Sequence, residues 1–201
     1  MSGRSVAIVA NGGANIASLR FALERLNVPS VVSAQGDAIR AATHVILPGV
    51  GAAADAMMRL RREGLQELLP TLRRPVLGIC LGMQLLFERS AEGPTECLGV
   101  IPGAAARFDS GNGLPVPHMG WNSLQVLADS PLLAGLGSDP YAYFVHSYAL
   151  PVGTATTATA DYGGSFSACV SWHNFHGMQF HPERSALTGA RALGNFLALC
   201  S

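Results

Sequence analysis

Pro75-Val76-Leu77-Gly78-Ile79-Cys80-Leu81-Gly82-Met83-Gln84 decides how this chain is read. Residues 76–79 are apolar enough for a buried strand, and a helical pattern follows from Leu81 to about Arg89. A strand running straight into a helix is half of a βαβ unit. Cys80 stands at the turn with a glycine two positions to either side, the cysteine form of a nucleophile elbow. Such a turn forces unusual backbone angles and close approaches, so neighbours without side chains let the sulfur project outward. At a helix start, unpaired N–H groups favour thiolate over thiol and can receive an oxyanion.

The same alternation extends upstream. Residues 5–10 predict a strand, and 15–27 a helix with Ile16, Leu19, Leu23 and Leu26 on one face. Residues 28–33 and 43–47 predict two more strands, the latter ended by Pro48-Gly49-Val50-Gly51 and followed by a helix over 52–63. Downstream, glycine- and proline-rich connections separate strand-like pieces near 123–127, 141–148, 154–159, 166–172 and 175–180. A helix over 185–199 closes the chain, with Leu187, Leu193 and Leu197 expected on its inner face. The pattern predicts a mainly parallel α/β sheet with helices on both faces and antiparallel additions in the C-terminal half. Ligands of such sheets sit beyond the carboxyl ends of the strands, so the turns at 11–15, 48–51 and 80–82 should share one edge.

Composition agrees. With 201 residues, 49% of them apolar and 13% charged, the chain is neither disordered nor fibrous, and one domain over 1–201 is expected. Thirteen basic residues balance thirteen acidic ones, so no electrostatic footprint points to nucleic acid or anionic lipid. Cys80, Cys97, Cys169 and Cys200 form no CxxC pair, and the last three are expected to be small buried hydrophobes. The N-terminal apolar run is too short for a secretory segment, and residues 75–87 fall short of the ~20 a membrane helix needs. A soluble protein of the reducing cytoplasm is expected.

A nucleophilic thiol needs a base and a group that orients it. His181 in Gln179-Phe180-His181-Pro182-Glu183 supplies both, because residues two apart in extended chain point the same way and Glu183 can hold the imidazole from behind. His44 is expected at the exposed end of a strand. Cys169, His173 and His176 have a faintly metal-like spacing but no fourth ligand, so no metal is expected.

The elbow and the His-Pro-Glu segment resemble the class I (triad) glutamine amidotransferases, with Cys80, His181 and Glu183 matching the Cys-His-Glu triad. Four further strings narrow the resemblance: Pro48-Gly49-Val50-Gly51, Pro117-His118-Met119-Gly120-Trp121-Asn122, Tyr143-Phe144-Val145-His146-Ser147-Tyr148 and Gln179 to Ser185. Together they are similar to the glutaminase subunits of imidazole glycerol phosphate synthase, over nearly the whole chain. The resemblance implies a flavodoxin-like fold, no cofactor, and a heterodimer with a (β/α)8 cyclase subunit that uses ammonia released from L-glutamine in histidine biosynthesis. It implies an oxyanion hole from Leu81 and the 48–51 loop, Val50 and Gly51 included, with Gly49 easing a flip of the 49–50 peptide. It also implies glutamine binding by Gly49, Gln84, Glu92, Ser147 and Tyr148. A partner surface would hold Asn15, His118, Met119, Trp121, Asn122 and Tyr143. The first loop departs from the family: Ala10-Asn11-Gly12-Gly13-Ala14-Asn15 stands where Asp-Tyr-Gly-x-Gly-Asn is usual, which bears on the interface and not on hydrolysis. Competing readings are the glutaminase subunit of pyridoxal phosphate synthase, a stand-alone flavodoxin-fold cysteine hydrolase, and a binding module without turnover.

Overall fold

The structure is a computed structural model that describes residues 3–12, 16–109 and 113–200. In chain order it runs β1 (Val6–Val9), α1 (Ile16–Arg25), β2 (Ser30–Ser33), α2 (Gly36–Ala41), β3 (His44–Gly49), α3 (Ala53–Arg62), α4 (Leu65–Leu68), β4 (Val76–Cys80) and α5 (Leu81–Leu85). Then come β5 (Phe87–Ser90), β6 (Thr95–Glu96), β7 (Ile101–Arg107), β8 (His118–Ser123), β9 (Gln125–Val126), β10 (Tyr141–His146) and β11 (Tyr148–Ala149). The chain closes with β12 (Thr156–Asp161), β13 (Ser165–Trp172), β14 (Phe175–Met178) and α6 (Ala186–Ala198).

The main sheet has the order β2-β1-β3-β4-β14-β13-β12-β9. Its first five strands are parallel, and β13, β12 and β9 extend it antiparallel. The order of the first four strands is the flavodoxin-like one. Alternate residues feed two cores, one on each face. Val6 and Ile8 join Leu19 and Leu23 of α1 and Leu193 and Phe196 of α6. Ala7 and Val9 join Ile39 of α2, Met57 and Leu60 of α3 and Leu65 of α4. Strands buried on both faces therefore read as continuous apolar runs.

Four local expectations are overturned. The helix after Cys80 ends at Leu85, because the carbonyls of Leu85, Leu86 and Phe87 accept from the N–H groups of Leu98, Val100 and Gly99 instead of continuing a helix, and 87–90 becomes a strand. Leu187 is 86% exposed. It lies six residues before Leu193, off the arc of Gly189, Ala192, Leu193, Phe196 and Leu197 that α6 buries. His44 is buried, its Nε2 3.0 Å from the carbonyl oxygen of Leu199 and its ring edge-on to Phe196. Cys200 is exposed, being past the end of α6, whereas Cys97 and Cys169 are buried as expected. Among the described residues no helix is long and apolar enough to cross a membrane.

Candidate active site

Parallel pairing brings the ends of β3 and β4 side by side, with Gly49 opposite Cys80. Cys80 has φ 52° and ψ −113°, a backbone conformation that a residue with a side chain adopts only when its surroundings impose it. The surroundings here are tight. A Cβ on Gly78 would come within 2.6 Å of the backbone at Gly82 and Met83, so the glycine before the turn is needed for contact between β4 and α5. α5 is five residues long, and the field at Cys80 therefore comes from its first N–H groups, not from an extended helix.

One cleft of about 500 Å³ is lined by Val50, Gly51, Cys80, Leu81, Gln84, Glu92, Ser147, Tyr148, His181 and Glu183. These residues come from five separate stretches of chain. Gly49 lies just behind, in a crevice shared with Val50, His181 and Glu183. His181 Nδ1 is 3.0 Å from Glu183 Oε1, and the two side chains are only 12% and 5% exposed. With Nδ1 held by Glu183, Nε2 is the ring nitrogen left to serve Cys80, which lines the same cleft. Burial pulls the His181 pKa down, but the bonds and charges of Cys80 and Glu183 outweigh it and hold the imidazole well above its ordinary value. The second oxygen of Glu183 is buried with no hydrogen-bond partner among the described residues, so His181 is the side chain that this carboxylate serves there.

The His181 backbone is fixed as firmly as its ring. Its N–H donates to the Tyr143 carbonyl, and its carbonyl accepts from the Ser185 hydroxyl, which in turn accepts from the Tyr143 N–H. Two residues expected to hold glutamine also have structural bonds. Glu92 Oε2 accepts from the first N–H of α3, at Ala53. Gln84 is buried, and its amide donates to the Tyr148 carbonyl and to Gln179. Pro117, Val145, His146 and Arg184 also line the cleft, roles that the pattern of residues did not announce.

β8 and β10 pair antiparallel as a two-stranded ribbon beside the cleft. Its outer face carries Met119 and Trp121, 63% and 54% exposed, with Tyr141 and the half-buried Tyr143. Trp121 and Tyr143 are directly opposite one another, ring centroids 6.0 Å apart. His118 does not belong to that surface: strand alternation turns it inward, 3% exposed, stacked on Phe144 and Tyr162. Asn122 shares the inner face, half-buried, with its amide on the Asp161 carbonyl. Asn15 lies outside the described residues.

The inward histidines form a directed chain. His146 Nδ1 is 2.9 Å from the Tyr148 carbonyl, so it carries the proton, and Nε2 accepts from His118 Nδ1 at 3.2 Å. Burial lowers His146 to about 3 and His118 to about 4, so both rings are neutral at pH 7.

A thiol at a strained strand–helix turn, an imidazole in the same cleft and a carboxylate behind the imidazole are the parts of acyl transfer through a covalent thioester. Residues 8–199 match the family described as glutamine amidotransferase class-I. The chain belongs to the class I glutamine amidotransferases. It is 54% identical, over 96% of its length and 97% of the relative's, to an imidazole glycerol phosphate synthase subunit HisH of Xanthomonas campestris pv. campestris (strain 8004). The corresponding subunit of Xylella fastidiosa (strain Temecula1 / ATCC 700964) is 52% identical over the same shares of the two chains. The fold resembles a solved putative GMP synthase subunit of Thermoplasma acidophilum, with TM-score 0.74 and 17% identity over 98% of this chain and 94% of that one. A solved glutamine amidotransferase gives TM-score 0.73 and 20% identity, covering 96% of each chain. The amidotransferase fold thus places the cleft where parallel sheets generally bind ligands, beyond the carboxyl ends of their strands.

Proposed function

We propose that this amidotransferase chain is the glutaminase subunit of imidazole glycerol phosphate synthase. In this reading the cleft hydrolyses L-glutamine to L-glutamate and the ammonia passes to a separate (β/α)8 cyclase subunit. The observation that carries the reading is the meeting of Cys80, His181 and Glu183 in one cleft, from stretches a hundred residues apart.

The Cys80 thiolate attacks the side-chain amide carbon of glutamine, and the C=O electron pair moves to oxygen. The N–H of Leu81 and the N–H of Val50 receive that oxyanion. The adjacent Gly49 allows the 49–50 peptide to reorganise when the partner binds its own substrate. As the C–N bond breaks, protonated His181 gives its proton to the departing nitrogen, leaving ammonia and a glutamyl thioester. Water then adds to the thioester, its proton goes to His181, and the C–S pair returns to sulfur. Glu183 holds the imidazole in the required orientation and balances its charge. Gln84, Glu92, Ser147 and Tyr148 hold the amino-acid end of the substrate.

Ammonia released into water is protonated and lost as a nucleophile, so transfer requires a docked partner. The outer face of the β8–β10 ribbon, with Met119, Trp121 and Tyr143, has the aromatic and methionine character of interface cores. The test is glutamate release from glutamine, measured with and without the cyclase subunit and its nucleotide substrate. The reading expects slow hydrolysis by the chain alone and a large rise with liganded cyclase. Full activity from the isolated chain would favour a stand-alone hydrolase and contradict it.

A further inference from the structure

Gln179 belongs to no part of the triad, yet it is fully buried with its amide nitrogen 3.6 Å from Cys80 Sγ. A buried amide left unpaired is costly, so a glutamine at this depth has its partners chosen by the fold. Its orientation follows from its neighbours. Gln84 has one side-chain atom 2.9 Å from the Tyr148 carbonyl oxygen, which can only accept, so that atom is the Gln84 nitrogen. The same nitrogen is 3.0 Å from Gln179, so the facing atom of Gln179 is its oxygen. The remaining Gln179 atom, its NH2, therefore faces the sulfur.

We infer that Gln179 is a further catalytic residue, whose side-chain N–H donates to the Cys80 sulfur and stabilises it as thiolate, in an orientation set by Gln84. The sulfur's other close neighbour on this side is the Val145 carbonyl oxygen at 3.7 Å, an acceptor that suits a thiol. Gln179 offsets it with a donor that suits the anion. The donor matters most when the thioester breaks. Water adds to the acyl carbon and gives its proton to His181, and the C–S electron pair collapses onto sulfur, where the Gln179 N–H already points. The inference rests on Cys80 being the nucleophile proposed above.

Two substitutions test it. Gln179→Met keeps the volume and removes the donor. Gln179→Glu keeps an oxygen for Gln84 but turns an acceptor toward the sulfur. Alkylation of Cys80 by iodoacetamide at pH 7.5, followed by peptide mapping, should slow at least about tenfold in both variants, in line with loss of a hydrogen bond to a charged group. In the complex with cyclase, kcat should fall by a similar factor while the KM of Gln179→Glu stays within about twofold. Wild-type alkylation and turnover in either soluble variant would overturn the inference. Should neither variant fold, side-chain amide NMR decides: the Gln179 NH2 protons should exchange with solvent more slowly in wild type than in Cys80→Ala, which lacks the sulfur acceptor. Equal exchange in the two proteins overturns the inference. Cys80→Ala also separates the two ideas, because turnover by that variant would sink the nucleophile assignment itself, whereas its inactivity beside normal Gln179 variants would sink only the role of Gln179.

Discussion

A Cβ added to Gly82 would stand 1.8 Å from the carbonyl oxygen of Leu47, so β3 and the first turn of α5 touch backbone to backbone. That contact sets the distance between the two loops from which Cys80 and Val50 reach the cleft. No side chain can be admitted without moving one strand end. Gly82→Ala is expected to cost more than about 3 kcal/mol, or to give insoluble protein, because the obstacle is backbone on both sides. Gly99→Ala is the control: it has φ +65° and open space around a Cβ, so only backbone strain of about 1–2 kcal/mol is expected. Urea unfolding of both variants checks the contrast.

Glu183→Gln keeps the shape behind His181 and removes the charge. Loss of the carboxylate removes one of the two partners that raise the imidazole pKa against burial, so the pKa falls from its raised position and the protonated form needed to expel ammonia becomes scarcer. kcat is expected to drop at least about tenfold with KM little changed, and more steeply toward alkaline pH. Steady-state kinetics between pH 6 and 9 measure this. For stability the sign is that of a raised histidine: the contribution of the His181 pair is present below about pH 6.5 and fades as pH rises beyond it.

Four other histidines act in the opposite sense, among them His44, whose pKa burial lowers. Burial lowers His118 and His176 to about 4 and His146 to about 3. The unfolded chain takes up these protons near pH 6.5, while the folded chain refuses them, so stability should fall as pH drops from 6.5 toward 4. Each histidine contributes a slope of up to about 1.4 kcal/mol per pH unit in that window. His118→Phe, which keeps an aromatic ring between Phe144 and Tyr162, should reduce the slope by up to about one proton. Urea midpoints at pH 7.5, 6.5, 5.5 and 4.5 test both statements, and a flat midpoint across the acid range would contradict them.

Trp121 is half exposed on the outer face of its ribbon and contributes little to the fold of the isolated chain. Trp121→Ala should leave its melting temperature within about 2 °C of wild type while weakening association with the cyclase subunit at least about tenfold, as expected of an aromatic anchor. Calorimetry on the chain and titration against the partner give the two numbers. An unchanged affinity would remove this face from the interface.

Much of the site is legible in the sequence because its chemistry is written locally. A cysteine between two glycines after an apolar run specifies the elbow, and a histidine two residues before a glutamate specifies the pair. The parallel sheet is legible from continuous apolar runs in β1, β3 and β4. What escapes is set by long-range partners. Phe87–Ser90 reads as the end of a helix until residues 97–100 claim the backbone carbonyls of Leu85, Leu86, Phe87 and Glu88. His44 looks terminal until Leu199, 155 residues later, caps it. His118 stands in one string with Met119 and Trp121, although alternation along a strand assigns it to the other face from Met119. Gln179 does carry a local signal: it is a polar residue between Met178 and Phe180, two positions before His181.

The claim on which the account depends is that Cys80 forms the covalent bond to the glutamyl group. The most direct measurement is mass mapping after treatment with the diazoketone analogue of glutamine, which alkylates a thiolate with loss of N2. The account predicts one label per chain, on the peptide containing Cys80, in step with loss of glutamine hydrolysis. Inactivation with the label on Cys97, Cys169 or Cys200, or hydrolysis that continues after Cys80 is fully labelled, would contradict it.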